Sequence, residues 1–372
     1  MPKIGIITIL KVNNYGAELQ AYATQAVLNR LGYDAEIIDY LFYKNPFAKH
    51  TRGSRPDFPH PLKKRIAEWI YPLIHRQAAN DIRSKRFENF HKINTRLSPT
   101  YRCAEDLYDA KMLYDVYMVG SDQVWNPGSY TSLRPYFLDF APKGKPRVAY
   151  ASSFGVSELP KDTHNFYKTY LNNFNAIGVR ERTAVEMVKN VSGKDAEWVL
   201  DPTLLLNAED WSTLAKPIGD ISEPYVLVYE LTPCDAINKT AERIASQNEW
   251  KIIRLSKSAK DIVANQKCIT DAGPSEFLYL FQNAEFIVTN SFHGTAFAIN
   301  FGRQFLTIVP SRKSNNSRQK DLLTLMNLTD RMLSDSDPMP DKIQPINYQS
   351  IHPLLEIQRN KSITFLKNAI GE

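Results

Sequence analysis

Residues 3–38, KIGIITILKVNNYGAELQAYATQAVLNRLGYDAEII, decide the architecture. Lys3–Leu10 is a nearly continuous apolar run, the pattern of a strand buried on both faces. VNNYGAE interrupts it as a turn. Leu19–Leu31 then repeats apolar residues at helical spacing, and Gly32 stands where a helix ends on a left-handed residue. Ala35–Ile38 reads as the next strand. Strand, glycine-containing loop, helix and strand make a βαβ unit, which belongs in a parallel sheet.

Working outward, Val116–Val119 is a strand followed by GSDQVWNPG, Arg147–Ala151 one ending in SSFG, and Ala176–Val179 one ending in RER. Trp198–Leu200 leads into DPT. At 207–224 the pattern breaks into NAEDWSTLAKPIGDISEP, which reads as a linker. A second series follows: strands Tyr225–Tyr229 and Lys251–Leu255, helix Ser275–Ala284, strand Phe286–Val288 and strand Phe305–Val309. These patterns predict a first Rossmann-like domain over 1–210 carrying a basic insertion at 44–102, and a second over 222–345. A helix over 346–372 is expected to cross back to the first domain. The fold class is therefore α/β, of the GT-B type: two doubly wound Rossmann-like domains facing a central cleft. Each apolar run stops at a polar or glycine-rich turn, and in open α/β sheets ligands bind outside those carboxyl ends.

Composition narrows the function classes. Over 372 residues, 43% are apolar and 23% charged, ordinary for a folded chain. No apolar run approaches the ~18 residues a membrane span needs, and MPKIGIITIL lacks a basic n-region and cleavage site, so the expected compartment is the cytoplasm. Cys103, Cys234 and Cys268 are scattered without metal-ligand spacing, so no metal site is expected. The net charge of +6 is uneven: residues 44–102 hold 14 Lys+Arg against 4 Asp+Glu. That segment could attract an anionic membrane at the inner face or a lipid-linked phosphate, or be an ordinary solvated helical face. Nucleic acid is not expected, because no nucleic-acid motif accompanies the charge.

Several strand ends carry chemistry. In FIVTNSFHGTAFAINFG (286–302), His293 lies in a strand-to-helix turn beside Asn290 and Ser291. Such a turn offers helix N–H groups and the positive end of the dipole to an anion, here through Gly294 and Thr295, while the histidine can move a proton. Asn14, Tyr15 and Gly16 occupy the first βα turn, suited to a sugar hydroxyl or phosphate. Ser121, Asp122, Gln123 and Trp125 combine an aromatic face with a carboxylate and an amide, a usual surface for a pyranose, while Trp125 fits a core position equally well. Arg180 follows a strand directly, where an arginine fork can hold carboxylate or phosphate, or else form a surface ion pair with Glu181 or Glu186. Arg312, Lys313, Arg318 and Lys320 make a cationic run able to fold over an anion. Neither GxGxxG nor GxxxxGK[ST] occurs, which disfavours the corresponding nucleotide cofactors. Asp335-Ser336-Asp337 has the DxD spacing of a metal site but reads as a loop away from any strand end.

NNYGAELQAYA, VGSDQVWNP, YASSFG, VRER, LDPTLLL, GPSEFLYL, TNSFHGTAFAINFG and NSRQKDLL, in that order, resemble the polysaccharide pyruvyl transferase family. The resemblance implies transfer of pyruvate from phosphoenolpyruvate to a sugar, commonly as a cyclic ketal on a cell-surface polysaccharide or its lipid-linked precursor, with no cofactor. Some members carry an arginine two residues before the motif histidine and an acidic residue directly after the first-loop glycine. Ser291 and Ala17 stand there in this chain, so Arg180, Arg312, Lys313 or Arg318 would hold the phosphate, and Glu18 falls to the acceptor side. The implied mechanism makes His293 the acid–base group. A GT-B glycosyltransferase using a nucleotide sugar, or a non-catalytic sugar-phosphate binding protein, would share much of this pattern.

Overall fold

The computed structural model describes residues 1–59, 81–256, 266–311 and 316–371. The chain divides into two compact units, one of Met1–Leu205 with Arg359–Glu372 and one of Leu206–Gln358.

The first unit is built on a six-stranded parallel sheet of β1 (Lys3–Ile7), β2 (Asp34–Ile37), β3 (Val116–Val119), β4 (Arg147–Ser152), β5 (Ala176–Val179) and β6 (Glu197–Trp198), in the order β2-β1-β3-β4-β5-β6. All four residues of β3 are buried, and β1 is buried after Lys3, as strands covered by helices on both faces must be. The crossover from β1 to β2 runs through helix Tyr15–Arg30, which starts four residues before the apolar spacing predicts and ends within one residue of it. The direction in which strands are added reverses at β1, which β2 and β3 flank, so the switch point lies between β1 and β3.

The second unit repeats the plan with β7 (Tyr225–Tyr229), β8 (Lys251–Leu255), β9 (Lys267–Ile269), β10 (Phe286–Thr289), β11 (Gln304–Val309) and β12 (Met332–Ser334), again all parallel, in the order β12-β11-β10-β7-β8-β9. Its switch point falls between β7 and β10. The sequence pattern missed the two edge strands β9 and β12, which have three residues each, too few to make a recognisable run. The stretch read as a linker is partly ordered. Helix Ala208–Ser212 is opened by an Asn207–Asp210 capping box, and Trp211 is buried with its ring 5.2 Å from that of Phe297.

The final helix, Tyr348–Ile370, belongs to the second unit up to Gln358 and to the first from Arg359. Within the first unit Arg359 Nε donates to Leu204 O, Ser362 Oγ accepts the Leu200 N–H, and the Phe365 ring lies over Gly178. Of the basic segment 44–102, the cations Lys63, Lys64 and Arg65 and the aromatic Trp69 and Tyr71 lie outside the described residues. Its helix Ile82–Asn94 buries Phe87 and Phe90 against the first unit while leaving Ile82 and Ile93 exposed.

Candidate functional site

At the switch point of the second unit, β10 runs through Thr289 into Asn290 and Ser291, and helix Phe292–Asn300 begins. Ser291 is the N-cap. Its Oγ accepts the Gly294 N–H at 3.2 Å, its carbonyl accepts the Thr295 N–H at 2.9 Å, and Thr295 Oγ1 bonds the same carbonyl and Thr307 Oγ1. The N–H groups of Gly294 and Thr295, expected to receive an anion, are therefore taken by the cap and the first helical turn. Glycine at 294 has a packing reason instead, since a Cβ there would collide with the Thr289 side chain. The Asn290 side chain is engaged as well: Oδ1 accepts the Leu231 N–H and Nδ2 donates to Thr232 O, both at 2.8 Å, which pins the loop after β7 to the end of β10.

This rigid turn presents His293. The residue is 8% exposed, sits one residue inside the helix, and meets the Phe292 ring edge-on at 5.2 Å. Helix Ser317–Leu325 lies alongside: the Arg318 guanidinium stands 5.9 Å from the Phe292 ring centre, and Gln319 Nε2 donates to Asn290 O at 3.2 Å. Arg318 is thus the described cation of the 311–323 run that lies near the histidine turn. Arg312 and Lys313 lie outside the described residues. Contrary to expectation, Asp335 and Asp337 do follow a strand, β12, but both carboxylates serve the turn. Asp335 accepts the Ser311 N–H, which holds its carboxyl below the usual range, and Asp337 accepts the Ser334 N–H. Among the described residues no cluster of three or more His, Cys, Asp or Glu could hold a metal ion.

In the first unit, Lys11 and Asn13 take left-handed backbone conformations, with φ of 56° and 51°, as the chain leaves β1. Asn14 caps the following helix by accepting the Ala17 N–H, and Gly16 is buried in its first turn. Tyr15 and Glu18 are not available to an acceptor. Tyr15 is 1% exposed, with its ring 5.2 Å from Phe87. Glu18 is fully buried; its carboxylate accepts the N–H groups of Lys11 and Val12 and pairs with His91. It is the anchor of the loop.

The strand ends β3 to β6 converge on Arg180, and here the sequence reading needs two corrections. Arg180 is not an open fork for a phosphate. Its side chain is fully buried, with Nη1 2.9 Å from Asp201, Nε 3.3 Å from Glu181 and Nη2 3.5 Å from Asp122. Ser121 Oγ donates to Asp201 and Ser153 Oγ to Glu181. Burial by itself would lower the guanidinium pKa, but Glu181, Asp201 and Asp122 outweigh it and raise it above its ordinary value. Trp125 is core, not a sugar platform: it is fully buried, stacks on Phe137 at 5.3 Å, and donates its indole N–H to Tyr136 O. The group that remains nearest solvent is Asp122, whose side chain is 18% exposed and whose φ is 77°. Gln123 lies beside it, half-buried, its Oε1 accepting from Asn126.

Sequence reasoning missed Asp201, Arg83 and His91. Asp201 stood in a motif it quoted, LDPT, directly after a strand, and position alone could have marked it. Arg83 and His91 lie about seventy residues from the loop they touch, in a segment that resembles no motif, and carried no signal.

The family model for polysaccharide pyruvyl transferase matches residues 14–312. The chain belongs to that family, a family of transferases that act on sugar acceptors. No curated protein matches it. Among solved structures it is similar to a putative UDP-N-acetylglucosamine 2-epimerase from Listeria monocytogenes, with TM-score 0.50 and 10% identity over 99% of this chain and 91% of that one. It is also similar to MurG from Acinetobacter baumannii, with TM-score 0.45 and 10% identity over 100% and 99%. The first likeness shows the α/β fold of GT-B type and nothing about chemistry.

Proposed function

From its membership of that family, we propose that this chain moves the enolpyruvyl group of phosphoenolpyruvate onto two hydroxyls of a sugar, forming a pyruvate ketal and releasing phosphate. The methylene carbon of the donor gains a proton, one sugar hydroxyl adds to the carbon that bore the double bond, and a second hydroxyl displaces phosphate from it. Of the two hydroxyl protons, one balances the new methyl group and the other leaves with phosphate. His293 is the proposed acid–base group, and the observation that carries this reading is its place on a fixed turn at the β7/β10 switch point. Acid–base help of this kind contributes roughly 10²–10⁴-fold.

The helix dipole behind His293 and the guanidinium of Arg318 are the proposed donor-anion contacts, with Arg312 and Lys313 from the same run. Asn14, Ser121, Asp122 and Gln123 are the proposed acceptor edge of the first unit, Asp122 being its most accessible carboxylate. The acceptor is proposed to be a polysaccharide unit or its lipid-linked precursor at the cytoplasmic membrane face, with the basic segment 44–102 touching anionic lipid. No helix among the described residues is long and apolar enough to cross a membrane.

The test is an incubation of the purified protein with phosphoenolpyruvate and candidate lipid-linked glycans, following free phosphate and product mass. Phosphate release with a pyruvylated glycan supports the reading. Consumption of a nucleotide sugar without phosphoenolpyruvate would establish a glycosyltransferase in its place.

A further inference from the structure

Arg83 carries a charge that the described structure leaves unanswered. It is 8% exposed, yet no carboxylate among the described residues pairs with it. Nη2 donates to Asn13 O at 3.0 Å, and Nε is buried with no hydrogen-bond partner. Its guanidinium carbon lies 5.0 Å from the Tyr15 ring centre and 5.2 Å from that of Phe87. Asp81, two residues away, and Glu18, which holds the same loop, are committed elsewhere: Asp81 caps its own helix at Ser84, and Glu18 is paired with His91. Arg180, by contrast, is buried against three carboxylates, Asp201, Glu181 and Asp122. A buried charge left without a counter-charge is costly, and cation–π contacts offset only part of that cost.

The position is as informative as the missing partner. Arg83 grips the carbonyl of Asn13, the residue before the N-cap of helix Tyr15–Arg30, at the carboxyl edge of β1 beside the β1/β3 switch point. Asn13 Nδ2 donates to Ser84 Oγ, so the loop and the start of helix Ile82–Asn94 are tied together twice. A helix N-terminus, its dipole and a guanidinium meet there, and guanidinium is the side chain best matched to phosphate oxygens.

We propose that Arg83 is the anchor of a phosphate-binding site in the first unit, separate from the donor site at His293, and that it takes the phosphate or diphosphate of the acceptor's carrier. The identification of that ligand with the acceptor rests on the pyruvyl-transfer reading; the site itself does not. Arg83, beside the rings of Tyr15 and Phe87, supplies the Nε–H that has no hydrogen-bond partner, and the acceptor phosphate supplies the counter-charge.

The experiment is equilibrium dialysis of the full-length protein against radiolabelled inorganic pyrophosphate at fixed ionic strength. The expected result is saturable binding that Arg83→Met weakens by about 10- to 100-fold, that Arg83→Lys weakens because the fork is lost, and that His293→Gln leaves unchanged. Equal affinity in the native protein and Arg83→Met overturns the proposal, as does loss of binding in His293→Gln alone. Should Arg83→Met fail to fold, the Arg83 Nε–H resonance decides, assigned by its absence from Arg83→Lys: movement on titration supports the site and immobility overturns it. Displacement of pyrophosphate by a soluble nucleoside diphosphate sugar or by a polyprenyl diphosphate in micelles tells the two sources of the phosphate apart. Persistent pyrophosphate binding in a protein that never turns over phosphoenolpyruvate would sink the transferase reading and leave this one standing.

Discussion

Replacing Arg180 with alanine separates two roles for the same residue. The sequence places it as a donor clamp; the structure places it as a fully buried cation paired with Asp201, Glu181 and Asp122. Removing one partner of a buried ion pair leaves the others desolvated without a counter-charge, which costs about 3–5 kcal/mol. For a unit of this size each kcal/mol lowers the melting temperature by about 2–4 °C, so Arg180→Ala should lower it by roughly 6–20 °C. The assay is thermal unfolding by circular dichroism at neutral pH, beside phosphoenolpyruvate affinity measured well below the transition. Asp201→Asn should destabilise too, and Arg180→Met combined with Asp201→Leu should recover part of the loss, because both charges then leave together. If Arg180→Ala melts within about 2 °C of the native protein while donor affinity falls, the network is not what holds these strand ends and Arg180 binds substrate after all.

Substituting His293 with glutamine should reduce phosphate release from phosphoenolpyruvate by on the order of 10²-fold or more with an unchanged melting curve; normal turnover would make it a packing residue. Activity should survive excess EDTA, and loss restored by magnesium or manganese would require a metal the proposal does not contain. Burial holds the Asp57 carboxyl above its usual pKa, against the opposing pull of the Leu133 N–H and Arg134. The folded state therefore keeps this proton longer than the unfolded chain, so Asp57 withdraws stability as pH rises from about 4 through its raised pKa. Urea midpoints measured across that window should fall less steeply for Asp57→Asn, and an equal slope would refute the assignment.

The inner strands were legible because burial leaves mostly apolar residues between glycine, proline and polar turns. Val116–Val119, Ala176–Val179, Tyr225–Tyr229 and Lys251–Leu255 coincide with their predicted bounds for that reason. Lys267–Ile269 and Met332–Ser334 were not, because an edge strand needs no apolar run. The His293 turn could be located from local pattern alone. What its neighbours do could not: whether an arginine faces a ligand or a carboxylate depends on residues such as Asp201, twenty-one positions on, and whether Trp125 meets sugar or Phe137 depends on which side of a turn becomes interior. Glu18 is the sharpest case, since its partner His91 is seventy-three residues away.

The final helix imposes an order on synthesis. The second unit, Leu206–Gln358, is continuous and can close as soon as it leaves the ribosome, whereas the first needs residues translated after it. Until Arg359, Ser362 and Phe365 emerge, Leu204 O, the Leu200 N–H and the surface of β5 at Gly178 lack their cover. At about 5–20 residues per second, that leaves the opening strands waiting some ten seconds or more while everything behind them is made. The part of this chain that is made first is thus finished last, and a chaperone acting on the nascent chain would meet its unfilled face throughout that interval.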